Sequence, residues 1–106
     1  MYYICRMDIE RNIAQMRKGV LELCILSIVS QEDAYASDII GKLKNSELIV
    51  VEGTLYPLLT RLKNEGLLSY RWEESTQGPP RKYYRITELG SKVLAQMIRN
   101  WEELTQ

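Results

Sequence analysis

The chain has 106 residues, 45% hydrophobic and 26% charged, and its 14 basic and 14 acidic side chains give a formal net charge of zero. That is the length of one domain and the composition of an ordinary globular protein, which excludes a disordered tail or a fibrous repeat. A pI of about 6.3 argues against a simple polyanion binder, so any nucleic-acid contact must come from a local positive face.

The first residues, Met1-Tyr2-Tyr3-Ile4-Cys5-Arg6, have no cationic start and no sustained apolar run, so they do not read as a secretory signal and a cytoplasmic protein is expected. The longest apolar stretch, residues 20–29, is broken by Glu22 and Ser27 and falls below the roughly 18 residues that cross a bilayer; no membrane partner is expected. Cys5 and Cys24 form no metal-ligand pattern, and the chain has no histidine, so neither a metal nor another cofactor is expected. Cys24, inside an apolar helix, reads as buried and inert, and Cys5 as the more accessible thiol.

Residues 8–31 place Ile9, Ile13, Met16, Val20, Leu23, Cys24 and Ser27 at steps of three and four. The pattern predicts a long amphipathic helix, or two helices meeting near Gly19. Over residues 20–29 the apolar coverage widens beyond one face, which implies burial on more than one side and hints at a partner chain. After a polar connector, Ser37-Asp38 offers the start of a short packing helix with Ile39, Ile40 and Leu43. Residues 48–51, Leu-Ile-Val-Val, read as a short strand or as extended packing.

Residues 51–68 then present Leu55, Leu58, Leu59 and Leu62 on one helical stripe, while Gly53, Pro57, Thr60 and Asn64 lie opposite, flanked by Thr54, Arg61, Tyr56 and Lys63. This outer face is small, polar and free of carboxylates. Pro57 is tolerable only near a helix start, and Gly66 is a natural stop. Residues 67–73 and 81–87 read as two strands, and the Gly/Pro segment of residues 74–80 between them must be a loop. Tyr83 and Tyr84 must point to opposite strand faces; Trp72 is expected to pack. Thr87 can cap a final helix whose Leu89, Val93, Leu94, Met97, Ile98, Trp101 and Leu104 again exceed what one chain needs to bury.

The expected fold is mainly α with a small β-hairpin: a winged helix-turn-helix, residues 17–87, in which the third helix enters a major groove, followed by a C-terminal dimerisation helix, residues 88–106. Residues 1–16 form an N-terminal extension expected to be helical. DNA contact is expected from Ser37, Thr54, Tyr56, Thr60, Arg61, Lys63, Asn64, Gln77, Gly78, Arg81 and Lys82, with the cations at phosphates. The plain alternative for this helix face is solvation, and for Tyr56 packing on the wing. A dimer interface is expected at Leu21, Ile25, Val93, Met97, Trp101 and Leu104. Nothing in the spacing suggests a catalytic acid, base or nucleophile. The alternative to a DNA-binding regulator is a winged-helix protein-interaction module without specific DNA binding.

Three blocks carry a resemblance to a known family: Gly19-Val20-Leu21-Glu22-Leu23-Cys24-Ile25-Leu26, then Gly53-Thr54-Leu55-Tyr56-Pro57-Leu58-Leu59-Thr60-Arg61-Leu62, and Gly78-Pro79-Pro80-Arg81-Lys82-Tyr83-Tyr84-Arg85-Ile86-Thr87. In their order and spacing the chain resembles the PadR-like bacterial transcriptional regulators, particularly short members with a single C-terminal helix. Two departures stand out: Tyr35-Ala36-Ser37 replaces a Tyr-Gly-Tyr-like element, and Lys63 stands where the family often has glutamate. The resemblance implies a homodimeric repressor on a palindromic operator that releases DNA on binding an effector. It also implies that Trp101, with Met97, lies where short relatives stack flat aromatic ligands; the alternative is that this indole simply fills the interface.

Overall fold

In the computed structural model, which describes residues 6–106, four helices surround a small antiparallel sheet. Helix α1 spans Arg6–Gln31, strand β1 Ala34–Tyr35, α2 Ala36–Asn45 and α3 Glu52–Asn64. Strands β2, Leu68–Ser75, and β3, Gly78–Ile86, form the hairpin, and α4 covers Glu88–Leu104. The expected architecture of helix, helix, recognition helix, wing and terminal helix is the one found. Cys5 lies outside the described residues.

Helix α1 is a single rod of 26 residues with no break at Gly19. Its second half supplies Leu21, Ile25, Leu26 and Val29 to the core, joined by Ile39 and Leu43 of α2, Leu55, Leu58, Leu59 and Leu62 of α3, Leu68 and Tyr84 of the sheet, and Leu94 of α4. The wide apolar band of residues 20–29 is therefore covered largely by the chain's own α2, α4 and β3. Leu21 and Ile25, expected at a dimer interface, are 3% and 0% exposed within the single chain. That placement is corrected: they have no surface left for a partner. Cys24 is free and half-buried, and burial pushes its thiol above the ordinary range, which keeps it protonated and unreactive near neutral pH.

Helix α2 starts one residue earlier than Ser37-Asp38 implied. Its N-cap is Tyr35, whose backbone N–H donates to the Asp38 carboxylate at 3.0 Å, so Asp38 acts from the third helical position rather than as the cap. Tyr35 is extended because, with Ala34, it pairs with β3 in the register Ala34↔Tyr84 and Tyr35↔Tyr83, giving the strand order β1-β3-β2. The third strand is thus here and not at residues 48–51. In that segment Leu48 and Val50 turn inward and Ile49 and Val51 outward, an alternation that pairs with no strand among the described residues.

Helix α3 ends as its sequence dictates. Gly66 adopts φ +79°, its N–H donates to Lys63 O and the Leu67 N–H to Leu62 O, both at 3.0 Å. This pair of bonds is the Schellman arrangement that a left-handed residue makes possible. The hairpin strands run further toward the tip than the Gly/Pro loop implied, leaving only Thr76 and Gln77 as the turn. Between Glu73↔Arg81 and Ser75↔Gly78 β3 carries one extra residue. The bulge falls at Pro79-Pro80, where prolines cannot donate to a ladder. At the other end Thr87 caps α4: its Oγ1 accepts from the Gly90 N–H at 2.9 Å and donates to the Gly66 carbonyl at 2.6 Å, tying the exit of α3 to the start of α4.

Every residue from Asp8 to Gly19 is exposed, so the first half of α1 is little covered by the rest of the chain, which it meets at Arg17, whose guanidinium donates to the Ile49 carbonyl at 3.1 Å, and along the rim of a groove beside α4. The radius of gyration shows it: 15.7 Å, against about 13 Å for a compact chain of this length.

Candidate nucleic-acid interface

Helix α3 buries its leucine stripe and exposes Thr54, Tyr56, Thr60, Arg61, Lys63 and Asn64. Pro57 lies in the second turn, where it withholds the N–H that would serve the Gly53 carbonyl. Beside the start of this helix a cleft of about 430 Å³ opens toward the wing. Tyr35, Ala36 and Ser37 line it from β1 and α2, Glu52 and Tyr56 from α3, and Trp72, Pro79, Pro80, Arg81, Lys82 and Tyr84 from the hairpin. Of the residues singled out in the sequence, the cleft gathers Ser37, Tyr56, Arg81 and Lys82. Thr60, Arg61 and Asn64 share the outer face of α3 with Tyr56, whereas Gln77 and Gly78 sit at the hairpin tip outside the cleft.

Aromatic rings position the wing cations. The Arg81 guanidinium lies 4.0 Å from the centroid of Tyr35, whose ring packs on Tyr83 at 4.6 Å. Lys82, on the opposite strand face, holds its Nζ 4.6 Å from the Tyr70 ring and 5.5 Å from Trp72. Lys63 reaches toward the same Tyr70 ring from α3, at 6.0 Å. Such contacts hold a cation in place without neutralising it. Among the described residues no carboxylate lies within ion-pairing distance of Lys63, Arg81 or Lys82. Burial pushes the Tyr84 hydroxyl above its ordinary range, and the charged side chains that line the cleft are Arg81 and Lys82 against Glu52.

Two basic residues of the region are otherwise engaged. Arg71 pairs with Glu73 at 2.6 Å and Asp33 at 3.6 Å, and the hydrogen bond to Glu73 pushes its guanidinium further up. Arg61, expected at phosphates, is bonded through one nitrogen to Glu22 of α1 and through the other to Glu65 at 3.4 Å. Glu22 is buried at 7% exposure, and a buried carboxylate needs a compensating charge. The structure therefore gives Arg61 a structural role, while its side chain stays 46% exposed on the outer face of α3. Sequence reasoning missed this pair because its members are far apart in the chain; the only signal was a glutamate inside an apolar run. It also misplaced Trp72, which is 61% exposed rather than packed away. Tyr83 and Tyr84 do face opposite ways, Tyr84 into the core at 3% exposure and Tyr83 against Tyr35 and Arg71.

Expected interface residues on α4 differ in burial: Val93 and Met97 are partly buried against the core, while Trp101 is 49% and Leu104 83% exposed. Trp101 and Met97 come together in a groove of about 320 Å³ between α1 and α4, with Met16, Val20, Leu23 and Leu104. Among the described residues no helix is long and apolar enough to cross a membrane.

Comparison with known proteins gives a consistent picture. Residues 25–96 match the transcriptional regulator PadR-like family. A PadR-like transcription factor from Bacteroides fragilis is similar in structure, with 62% identity, TM-score 0.83, and 90% of this chain and 92% of that one covered. A PadR family transcriptional regulator from Eggerthella lenta shares 33% identity with TM-score 0.80, over 92% and 85% of the two chains. A transcriptional regulator of Mycobacterium tuberculosis is 29% identical over 92 residues, 87% of this chain and 85% of its own. The match spans most of the domain, including α3 and the wing, and the chain belongs to the PadR-like family of transcriptional regulators: it is a DNA-binding transcription factor and not an enzyme.

Proposed function

We propose that the chain acts as a homodimeric repressor that binds a palindromic operator through α3 and the wing and releases it when a small planar aromatic effector enters beside Trp101. The observation that carries the reading is the half-helix of residues 8–19. An isolated helix of that length is marginal in water, yet it carries Ile9, Ile13 and Met16 at 45%, 58% and 73% exposure. Across the groove, Ile98, Trp101 and Leu104 of α4 continue the apolar surface. A second copy related by a two-fold axis covers such a face most simply. It also sets two recognition helices about one DNA turn, roughly 34 Å, apart. Leu104 and Trp101 then lie at the interface with Val93 and Met97 at its inner edge, and Thr54, Tyr56, Thr60, Lys63 and Asn64 face the major groove.

Fluorescence anisotropy with a labelled duplex from the promoter of the chain's own locus, against a scrambled duplex, tests the operator. Tight, salt-sensitive binding to the first is expected, and equal, weak binding to both would instead support a protein-docking module. Replacing Arg81 and Lys82 by alanine should lower the salt slope by about 2, one for each phosphate no longer neutralised; an unchanged slope would mean that the wing cations do not touch phosphate. Sedimentation should give a dimer at micromolar concentration, and a stable monomer would contradict the role assigned to α1 and α4. For the effector, planar aromatic compounds should quench indole emission in the wild type far more than in Trp101→Leu.

A further inference from the structure

Trp72 is a large apolar side chain left in water on the hairpin, and its surroundings specify an occupant. Its ring is fixed from two sides: Tyr70 meets it edge-on, centroids 5.9 Å apart at 88°, and the Lys82 ammonium lies 5.5 Å away. It is nevertheless 61% exposed. The free surface lines the cleft between wing and α3, where Tyr56 stands across from it and Pro79, Pro80 and Arg81 complete an apolar wall with a cationic rim. An aromatic ring left in water beside the Lys82 ammonium, in a cleft that Arg81 also lines, is a surface prepared for a ligand that is apolar on one side and anionic on the next. The sugar-phosphate chain of a nucleic acid has that alternation.

We infer that Trp72 is a DNA-contact residue that packs its indole against a deoxyribose of the operator backbone while Lys82 holds the adjoining phosphate. The inference rests on the operator reading above and adds to it an apolar contact that carries no counterion release. Two quantities that usually move together are thereby separated. Removing a cation from a phosphate lowers both affinity and salt slope; removing the indole lowers affinity alone. Glu52, the one carboxylate lining the cleft, repels phosphate from the α3 side and favours its entry on the wing side, next to Lys82 and Trp72.

The test uses the full chain and the labelled promoter duplex. Trp72→Ala should weaken binding about tenfold, the scale expected for uncovering half an indole, with a salt slope equal to that of the wild type, and Trp72→Phe should recover most of the loss. Because Trp72 is exposed, neither change should move the melting temperature by more than a degree or two. Addition of the duplex should shift indole emission in the wild type, and the part of the shift that Trp72 contributes should be lost in Trp72→Phe, where only Trp101 still reports. Wild-type affinity in Trp72→Ala, or an emission change in Trp72→Phe as large as that of the wild type, overturns the inference while leaving the operator reading intact. A wild-type protein that fails to bind the promoter duplex in preference to the scrambled one overturns the operator reading first, and this contact with it.

Discussion

Gly90→Ala should be the most destabilising small substitution in the chain, costing about 3 kcal/mol, the upper part of the range for overpacking a tight contact. A Cβ at this position would lie 2.1 Å from the Leu67 carbonyl oxygen, 2.8 Å from Ile86 Cγ1 and 3.0 Å from the Leu67 carbonyl carbon. Two of those three atoms are backbone, so no rotamer change relieves the clash. The Leu67 carbonyl is itself fixed, because it accepts from the Thr87 N–H at 3.1 Å at the point where α3 hands over to β2. The helix would have to back away from the sheet, taking Leu94 out of the core. For a domain of this size the loss corresponds to a fall of roughly 15 °C in melting temperature, read at one fixed protein concentration because association would otherwise confound it. Gly41→Ala is the control: its Cβ would meet nothing within 4 Å, so the exposed helix interior should gain about 0.5–1 kcal/mol. A Gly90→Ala protein that melts with the wild type would mean that α4 does not seat on Leu67 as described.

Much of this fold is written in local pattern, and the parts that are not have a common cause. The leucine stripe of α3, its Gly66 stop, the proline-rich hairpin tip and the Thr87 cap are each decided by residues within one or two turns of one another, so periodicity and turn chemistry suffice to find them. Strand β1 is different. Ala34 and Tyr35 are a strand only because β3 lies alongside, whereas residues 48–51, richer in β-branched side chains, have no strand partner among the described residues. The same holds for the site. That α3 and the hairpin lie side by side follows from the order of elements, but the aromatic seats of Arg81 and Lys82 and the exposure of Trp72 depend on register across the sheet. The apolar excess of α1 was legible in amount and misassigned in place: residues 20–29 are covered from within, and the uncovered surface is the half-helix before them.

Arg61 shows how such a long-range contact reverses a local reading, and it gives the second large effect. Removing its side chain should leave the Glu22 carboxylate buried without a counter-charge, a loss put at about 1–3 kcal/mol. That lies below the full cost of breaking a buried pair because the arginine side is 46% exposed and partly screened. Glu22→Gln removes the charge that needs compensation, so Arg61→Ala combined with Glu22→Gln should be more stable than Arg61→Ala alone. A positive coupling in that double-mutant cycle, measured by urea unfolding, is the signature of the pair. If Arg61 instead served mainly as a phosphate contact, Arg61→Ala would leave stability unchanged and lower the salt slope of promoter binding by about 1, and Glu22→Gln would have no bearing on either. The distinction matters for control as well as for folding. Glu22 sits on α1 beside Leu23, which lines the groove with Trp101, while Arg61 sits on α3. The ion pair thus connects the helix that carries the surface on which dimerisation and effector binding are proposed to the helix proposed to read the operator. A small rotation of α1 on effector binding can pull on α3 through this link, because a packed interface with two discrete arrangements amplifies sub-ångström shifts. Arg61→Ala combined with Glu22→Gln should therefore bind promoter DNA with an unaltered salt slope while responding less to effector.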